Sequence, residues 1–243
     1  MKYLWTEDRG AGFHFWKLVN QHVFQGQMVV ESKLSNQGLL DAIRGLRPEP
    51  DDMYYIAFDI VYDNMDIVNK LLELQQLISK YPKQIVLLDV TCFEYIILSF
   101  SHLIEWTGTG KKDKIEMRKH ILSALNNHKI ELEKIENRKT LDYLMGFKRF
   151  STERVLEAIT YELTDSDVWS VKGDSMGECW CQDCCVLVNP KKSHCGLGNM
   201  SGTEKIDILL KDEEANRIIS RISAAECYNT HNHWKIKNRR KRV

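Results

Sequence analysis

The sequence predicts an α/β fold, a parallel sheet flanked by helices, followed by a helical extension and a small cysteine-rich zinc-binding module. Three continuous apolar runs alternate with segments of helical periodicity, and five of the seven cysteines crowd into residues 171–202. Apolar runs without polar alternation suit strands buried on both faces, and strands that alternate with helices pair in parallel through right-handed crossovers. The chain has 243 residues, 43% hydrophobic and 28% charged, enough for one substantial core or a main domain with an appendix.

Residues 1–26 hold Trp5, Phe13, Phe15, Trp16 and Phe24, too much apolar surface to leave in water, and read as a leading helix or hairpin packed on an α/β unit. The first run, Gln27 to Val30, reads as a strand, and Leu39, Leu40, Ile43 and Leu46 then recur at helical spacing up to Pro48. Met53 to Phe58 is the second strand. Ile67, Val68, Leu71, Leu72, Leu74 and Ile78 trace the next helix, which Pro82 stops, and Ile85 to Val90 is the third strand. Phe93, Ile96, Ile97, Phe100, Leu103 and Ile104 form an apolar helical stripe ending near Gly108. This α/β unit spans residues 27–110. A charged helical extension covers 111–170, where Met117, Ile121, Leu125, His128 and Leu132 form a narrow stripe and Thr152 to Leu163 a second amphipathic stretch. Residues 171–243 carry the cysteines, a last helix from Glu204 to Ile222, and the C-terminus.

Basic and acidic groups balance at 34 each, but the balance is uneven along the chain. Lys235, Lys237, Arg239, Arg240, Lys241 and Arg242 form a basic tail without an acid, leaving 28 basic against 34 acidic groups before it. Such a tail is suited to phosphate contacts, and Trp234 beside it to stacking on a base. The longest apolar stretch, Ile85 to Trp106, is interrupted by Asp89, Glu94, His102 and Glu105, so no membrane span is expected. MKYLWTEDRGAG lacks the order of a secretory signal, which points to a soluble protein of a reducing cytoplasm whose cysteines remain thiols or metal ligands.

In open α/β sheets ligands collect beyond the carboxyl ends of the strands. The three runs place Glu31, Asp59 and Glu94 there, with Asp63 four residues after Asp59 and Asp89 within the third run. Oxygen-only ligand sets suit Mg²⁺ or Mn²⁺ and phosphate substrates. The same residues also suit local structure: Thr91 to Glu94 reads as a capping box, and Asp63 or Asn64 as the cap of the next helix.

The order VVES (Val29 to Ser32), YYIAFDIVYDN (Tyr54 to Asn64) and LLDVTCFEYIILSF (Leu87 to Phe100) resembles the Toprim fold, closest to its RloB-like and OLD-type nuclease branch. In that branch a glutamate ends the first strand, an Asp-x-Asp element ends a later one, and a Phe-Glu pair opens the following helix. The resemblance implies Glu31 as general acid/base or metal ligand, Asp59 as principal Mg²⁺ ligand, and Phe93-Glu94 as the helix-opening pair. The chain departs from the pattern in two places, Ser32 where a glycine is usual and Asp59-x-x-x-Asp63 in place of Asp-x-Asp. The likeness covers residues 27–106.

Cys179, Cys181, Cys184, Cys185, His194 and Cys195 place six soft ligands within seventeen residues, where a tetrahedral zinc site needs only four. The preferred set is Cys181, Cys184, Cys195 and either Cys179 or Cys185, and metal binding would supply the folding free energy that a glycine-rich segment lacks. Two functional readings compete. One is a Mg²⁺-dependent nuclease in defence against foreign nucleic acid, with Glu31, Asp59, Asp63 and Glu94 at its centre. The other is an inactive Toprim-like scaffold that binds a protein or nucleic-acid partner through its zinc module; a protein partner or a homo-oligomer is compatible with either. Gently purified protein is expected to carry about one zinc per chain by elemental analysis; a content well below half would remove the module.

Overall fold

A computed structural model describes residues 1–99, 111–164 and 201–211, with single positions from 213 to 222. The clustered cysteines, His194 and the basic tail lie outside these residues. The described elements are β1 (Lys2–Thr6), α1 (Gly10–His22), β2 (Val29–Ser32), α2 (Asn36–Gly45), β3 (Met53–Asp59), α3 (Met65–Ile78), β4 (Ile85–Val90) and α4 (Phe93–Ser99). Then come α5 (Lys112–Ala124), a hairpin of β5 (Leu125–Asn126) and β6 (Lys129–Ile130), α6 (Arg138–Met145), α7 (Thr152–Thr164) and α8 (Gly202–Lys211). Among the described residues no helix is long and apolar enough to cross a membrane.

The three expected strands are present as β2, β3 and β4, and the sheet has a fourth. Its order is β2-β1-β3-β4, all parallel. The opening segment is therefore neither a lone helix nor a hairpin: Lys2–Thr6 is an inner strand, with Tyr3 opposite both Val29 and Tyr54. Only three consecutive apolar residues mark it, Tyr3, Leu4 and Trp5, which is too short a run to separate from the aromatic helix that comes next.

Side chains alternate across the sheet, and each face has its own core. Leu4, Tyr55, Ala57, Leu88 and Val90 meet α1, α4 and the helical extension. Trp5, Tyr54, Ile56 and Phe58 meet α2 and α3 through Leu39, Leu40, Ile43, Ile67, Leu71 and Leu74. The connection from β1 to β2 thus lies on one face, and those from β2 to β3 and β3 to β4 on the other.

The extension differs from its expected form at one point. The stripe from Met117 to Leu132 breaks after Ala124, where Asn127 and His128 adopt φ values of 46° and 60°. Two successive left-handed residues make the tight turn of a hairpin, so His128 stands on a turn and not on a helix face. Thr152 and Glu204 fall within the first turns of α7 and α8, as the periodicity places them.

Leu4 is fully buried beneath α1 at the sheet centre. Leu4→Ala is expected to cost about 2–5 kcal/mol in urea unfolding, while Val29→Ala on the exposed edge strand is expected to stay within about 0.5 kcal/mol.

Candidate active site at the centre of the sheet

In this strand order the chain leaves β1 toward β2 and leaves β3 toward β4, with crossover helices on opposite faces. The gap beyond the carboxyl ends of β1 and β3 is therefore the switch point where open α/β sheets bind ligands. Glu7 and Asp8 follow β1 directly, and Asp59 ends β3.

These carboxylates hold one another. Asp59 is 9% exposed, and its carboxyl donates to Glu7. Burial is the largest influence on Asp59, followed by the negative charges of Glu7 and Asp8, and together with Glu94 they push its pKa well above the ordinary carboxylate range. Burial likewise raises Glu7, with repulsion from Glu153 and Glu94, against stabilisation by the Asp59 carboxyl and the backbone N–H of Asn36. Asp8 is raised to about 6 by burial and Glu7, despite bonds from the Thr6 hydroxyl and the Trp16 indole. The indole Nε1 donates to Asp8 Oδ2 at 2.9 Å.

The turn that presents Glu7 and Asp8 depends on glycine. Gly10 opens α1 at φ 50°, and a Cβ at Gly12 would overlap the Asp8 carboxylate. The Ser32 hydroxyl donates to the Asp8 carbonyl at 2.6 Å, and Lys33 N–H to the Thr6 carbonyl at 2.7 Å, so the end of β2 fixes the same loop. On the other side Ile60 N–H donates to the carbonyls of Val90 and Thr91, both at 3.0 Å, which ties the end of β3 to β4.

Of the residues singled out in the sequence, Asp59 and Glu94 belong to this electrostatic group. Glu31 also ends a strand, but it pairs with Lys33 at 2.6 Å, and the Lys33 ammonium lies 4.1 Å from the Trp5 ring centroid. Asp63 accepts from Thr152 N–H at 2.9 Å and from its hydroxyl at 2.8 Å, at the start of α7. Asn64 caps α3 through Asp66 N–H. The Thr91 hydroxyl meets His128 Nδ1 at 2.9 Å, while His128 Nε2 and Arg217 both pair with Asp89 at 2.6 Å. Cys92 is buried, and burial with the Glu94 and Asp59 charges holds its thiol well above the usual range, so it is an unreactive core residue. As they stand, no three His, Cys, Asp or Glu side chains among the described residues are arranged to hold a metal ion.

Sequence reasoning missed Glu7, Asp8 and Glu153. The first two carried a readable signal, since Thr6 to Gly12 (TEDRGAG) sets acids and two glycines between a short apolar run and an amphipathic helix. Glu153 carried none, because only tertiary packing brings α7 to the rim. Comparison of the chain with family models, curated proteins and solved structures gives no match.

A carboxyl group whose pKa is raised on folding holds its proton longer in the folded state than in the unfolded one. Its ionisation therefore costs stability as pH rises, and for Asp8 the loss falls between the ordinary 3.8 and about 6. Glu7 and Asp59, shifted in the same direction, add to that loss. Unfolding free energy is expected to fall as pH is raised from about 4 to 7, and Asp59→Asn to flatten that slope in parallel urea titrations. An unchanged slope would separate Asp59 from the group.

Proposed function

We propose that the protein is a Toprim-like phosphodiester hydrolase that acts on nucleic acid in a reducing cytoplasm. Its reaction centre is built from Glu7 and Asp59, with Asp8 and Glu94 beside them. The observation that carries this reading is the meeting of Glu7 and Asp59 at the switch point of the sheet, where burial and the surrounding carboxylates raise both pKa values although Asp59 donates to Glu7. Strongly perturbed carboxyls in such a place are what proton transfer or cation binding to a phosphate substrate requires. The Toprim-like pattern also reads better with the added strand. The glutamate that ends the first strand is then Glu7, Asp59 ends the strand beside it, and Phe93-Glu94 opens α4.

In chemical type, though not in their present arrangement, Asp59, Asp8, Glu7 and Glu94 suit a divalent cation, being hard oxygen ligands whose repulsion a cation relieves. A bound Mg²⁺ or Mn²⁺ would hold phosphate oxygens and neutralise the charge that develops on them. Asp59 and Asp8 would hold the ion with Glu94. Glu7 would exchange a proton at its carboxyl with the attacking water or the leaving oxygen, a role matched to a raised carboxyl pKa. Glu31, bonded to Lys33, is outside this chemistry. The cysteine module and basic tail would position the strand.

One observation favours the scaffold reading, that Asp59 donates directly to Glu7 and the pair is satisfied without a cation. Incubation with single- and double-stranded DNA and RNA in Mg²⁺ or Mn²⁺, and in EDTA, separates the two. The hydrolase is expected to cleave at least one substrate only with the cation, and Glu7→Gln or Asp59→Asn to lower the rate about a hundredfold or more. Glu31→Gln is expected to retain cleavage. Binding without cleavage, unaffected by these changes, would establish the scaffold.

A further inference from the structure

The loop between α6 and α7 gathers positive charge. Residues 146–154 hold Lys148, Arg149 and Arg154 against one acid, Glu153. All three cations are exposed, and among the described residues none has a side-chain hydrogen bond or ion pair. Other helix cations are matched, Arg44 with Glu73, Lys70 with Asp66 and Arg138 with Asp142. Glu153 is engaged elsewhere, its Oε2 accepting from Asn64 Nδ2 at 3.3 Å. Exposed charges add little to stability, so the fold itself gives no reason for this set.

The loop is also fixed in place. Phe147 and Phe150 are half-buried and pack against the core, while Lys148 and Arg149 between them face solvent. Thr152 N–H and hydroxyl both donate to Asp63, four residues after Asp59, which sets the loop on the same rim as the gap beyond β1 and β3. Counting three residues from Thr152 back to Arg149 and four from Asp63 back to Asp59, the chain allows at most about 35 Å between them, roughly ten base steps. A short stretch of nucleic acid reaches both. Its backbone offers a charge at every step, and Lys and Arg contacts to phosphate hold a strand in register without reading its sequence.

Resting on the hydrolase reading, we infer that Lys148 and Arg149, with Arg154, form a contact surface for the phosphate backbone of the nucleic-acid substrate. The surface holds the strand beside the Glu7–Asp59 gap, and it is independent of the cysteine module and the basic tail.

The test uses the full chain as wild type, as the double variant Lys148→Gln/Arg149→Gln, and as a control, Lys80→Gln/Lys83→Gln, which removes two exposed cations between α3 and β4 at the amino end of the sheet. Binding to labelled single-stranded and duplex DNA and RNA is followed by fluorescence anisotropy over a range of KCl without added divalent cation. The loop variant is expected to keep the wild-type melting temperature, to bind about tenfold more weakly, and to show a salt dependence of log K shallower by about 1.5 to 2, as two lost phosphate contacts require. The control is expected to bind as wild type. Equal losses in the two variants, or a loop variant with wild-type affinity and slope, would overturn the inference alone. Poly-glutamate bound more tightly than any nucleic acid, and weakened by the same change, would overturn it in favour of an acidic protein partner. The expected binding without cleavage in Mg²⁺ or Mn²⁺ would support the surface and remove the hydrolase.

Discussion

Hydrogen bonding of β1 on both of its edges sets the geometry of everything else. A strand of five residues, Lys2–Thr6, pairs in parallel with β2 on one side and β3 on the other. Because it is central, the chain must leave it in one direction and return to cross on the opposite face, which creates the gap at its carboxyl end. Each core depends on the same strand, through Leu4 on one face and Trp5 on the other. A fault in this short segment would loosen both layers together.

The acidic group shows how a fold tolerates local repulsion. Glu7, Asp8 and Asp59 cannot all be ionised cheaply in a partly dehydrated gap, so protons are retained and a carboxyl of one serves as donor to another. Surrounding bonds keep the group from spreading apart. Thr6 and Trp16 hold Asp8, Asn36 N–H holds Glu7, and the β3–β4 backbone bonds hold the loop that begins at Asp59. Electrostatic strain gathered in one place by rigid elements is what distinguishes this rim from the outer one, where Glu31 rests on Lys33.

Much of the architecture was legible because parallel strands covered on both faces must be uniformly apolar. That rule marked Met53 to Phe58 and Ile85 to Val90, and helical periodicity marked α2, α3 and α7. It failed for Lys2–Thr6, whose apolar run is three residues long, and with that strand went the carboxylates at its end. Glu31 took the place of Glu7 because each follows a strand and one dimension cannot tell an inner strand from an edge strand. Asp63 was visible as a carboxylate, but its bonds to Thr152 join positions 89 residues apart and no local rule connects them. His128 fell on a helical stripe only because Met117, Ile121 and Leu125 continue past the true end of α5, where two left-handed residues turn the chain.

The tight fit of Gly12 against the Asp8 carboxylate makes the two positions a single mutational target. Any side chain at 12, however small, overlaps the Asp8 side chain that accepts from the Trp16 indole, so one of the two must move. A mutational scan would record residue 12 as sensitive on account of Asp8, although glycine contributes no side-chain group of its own.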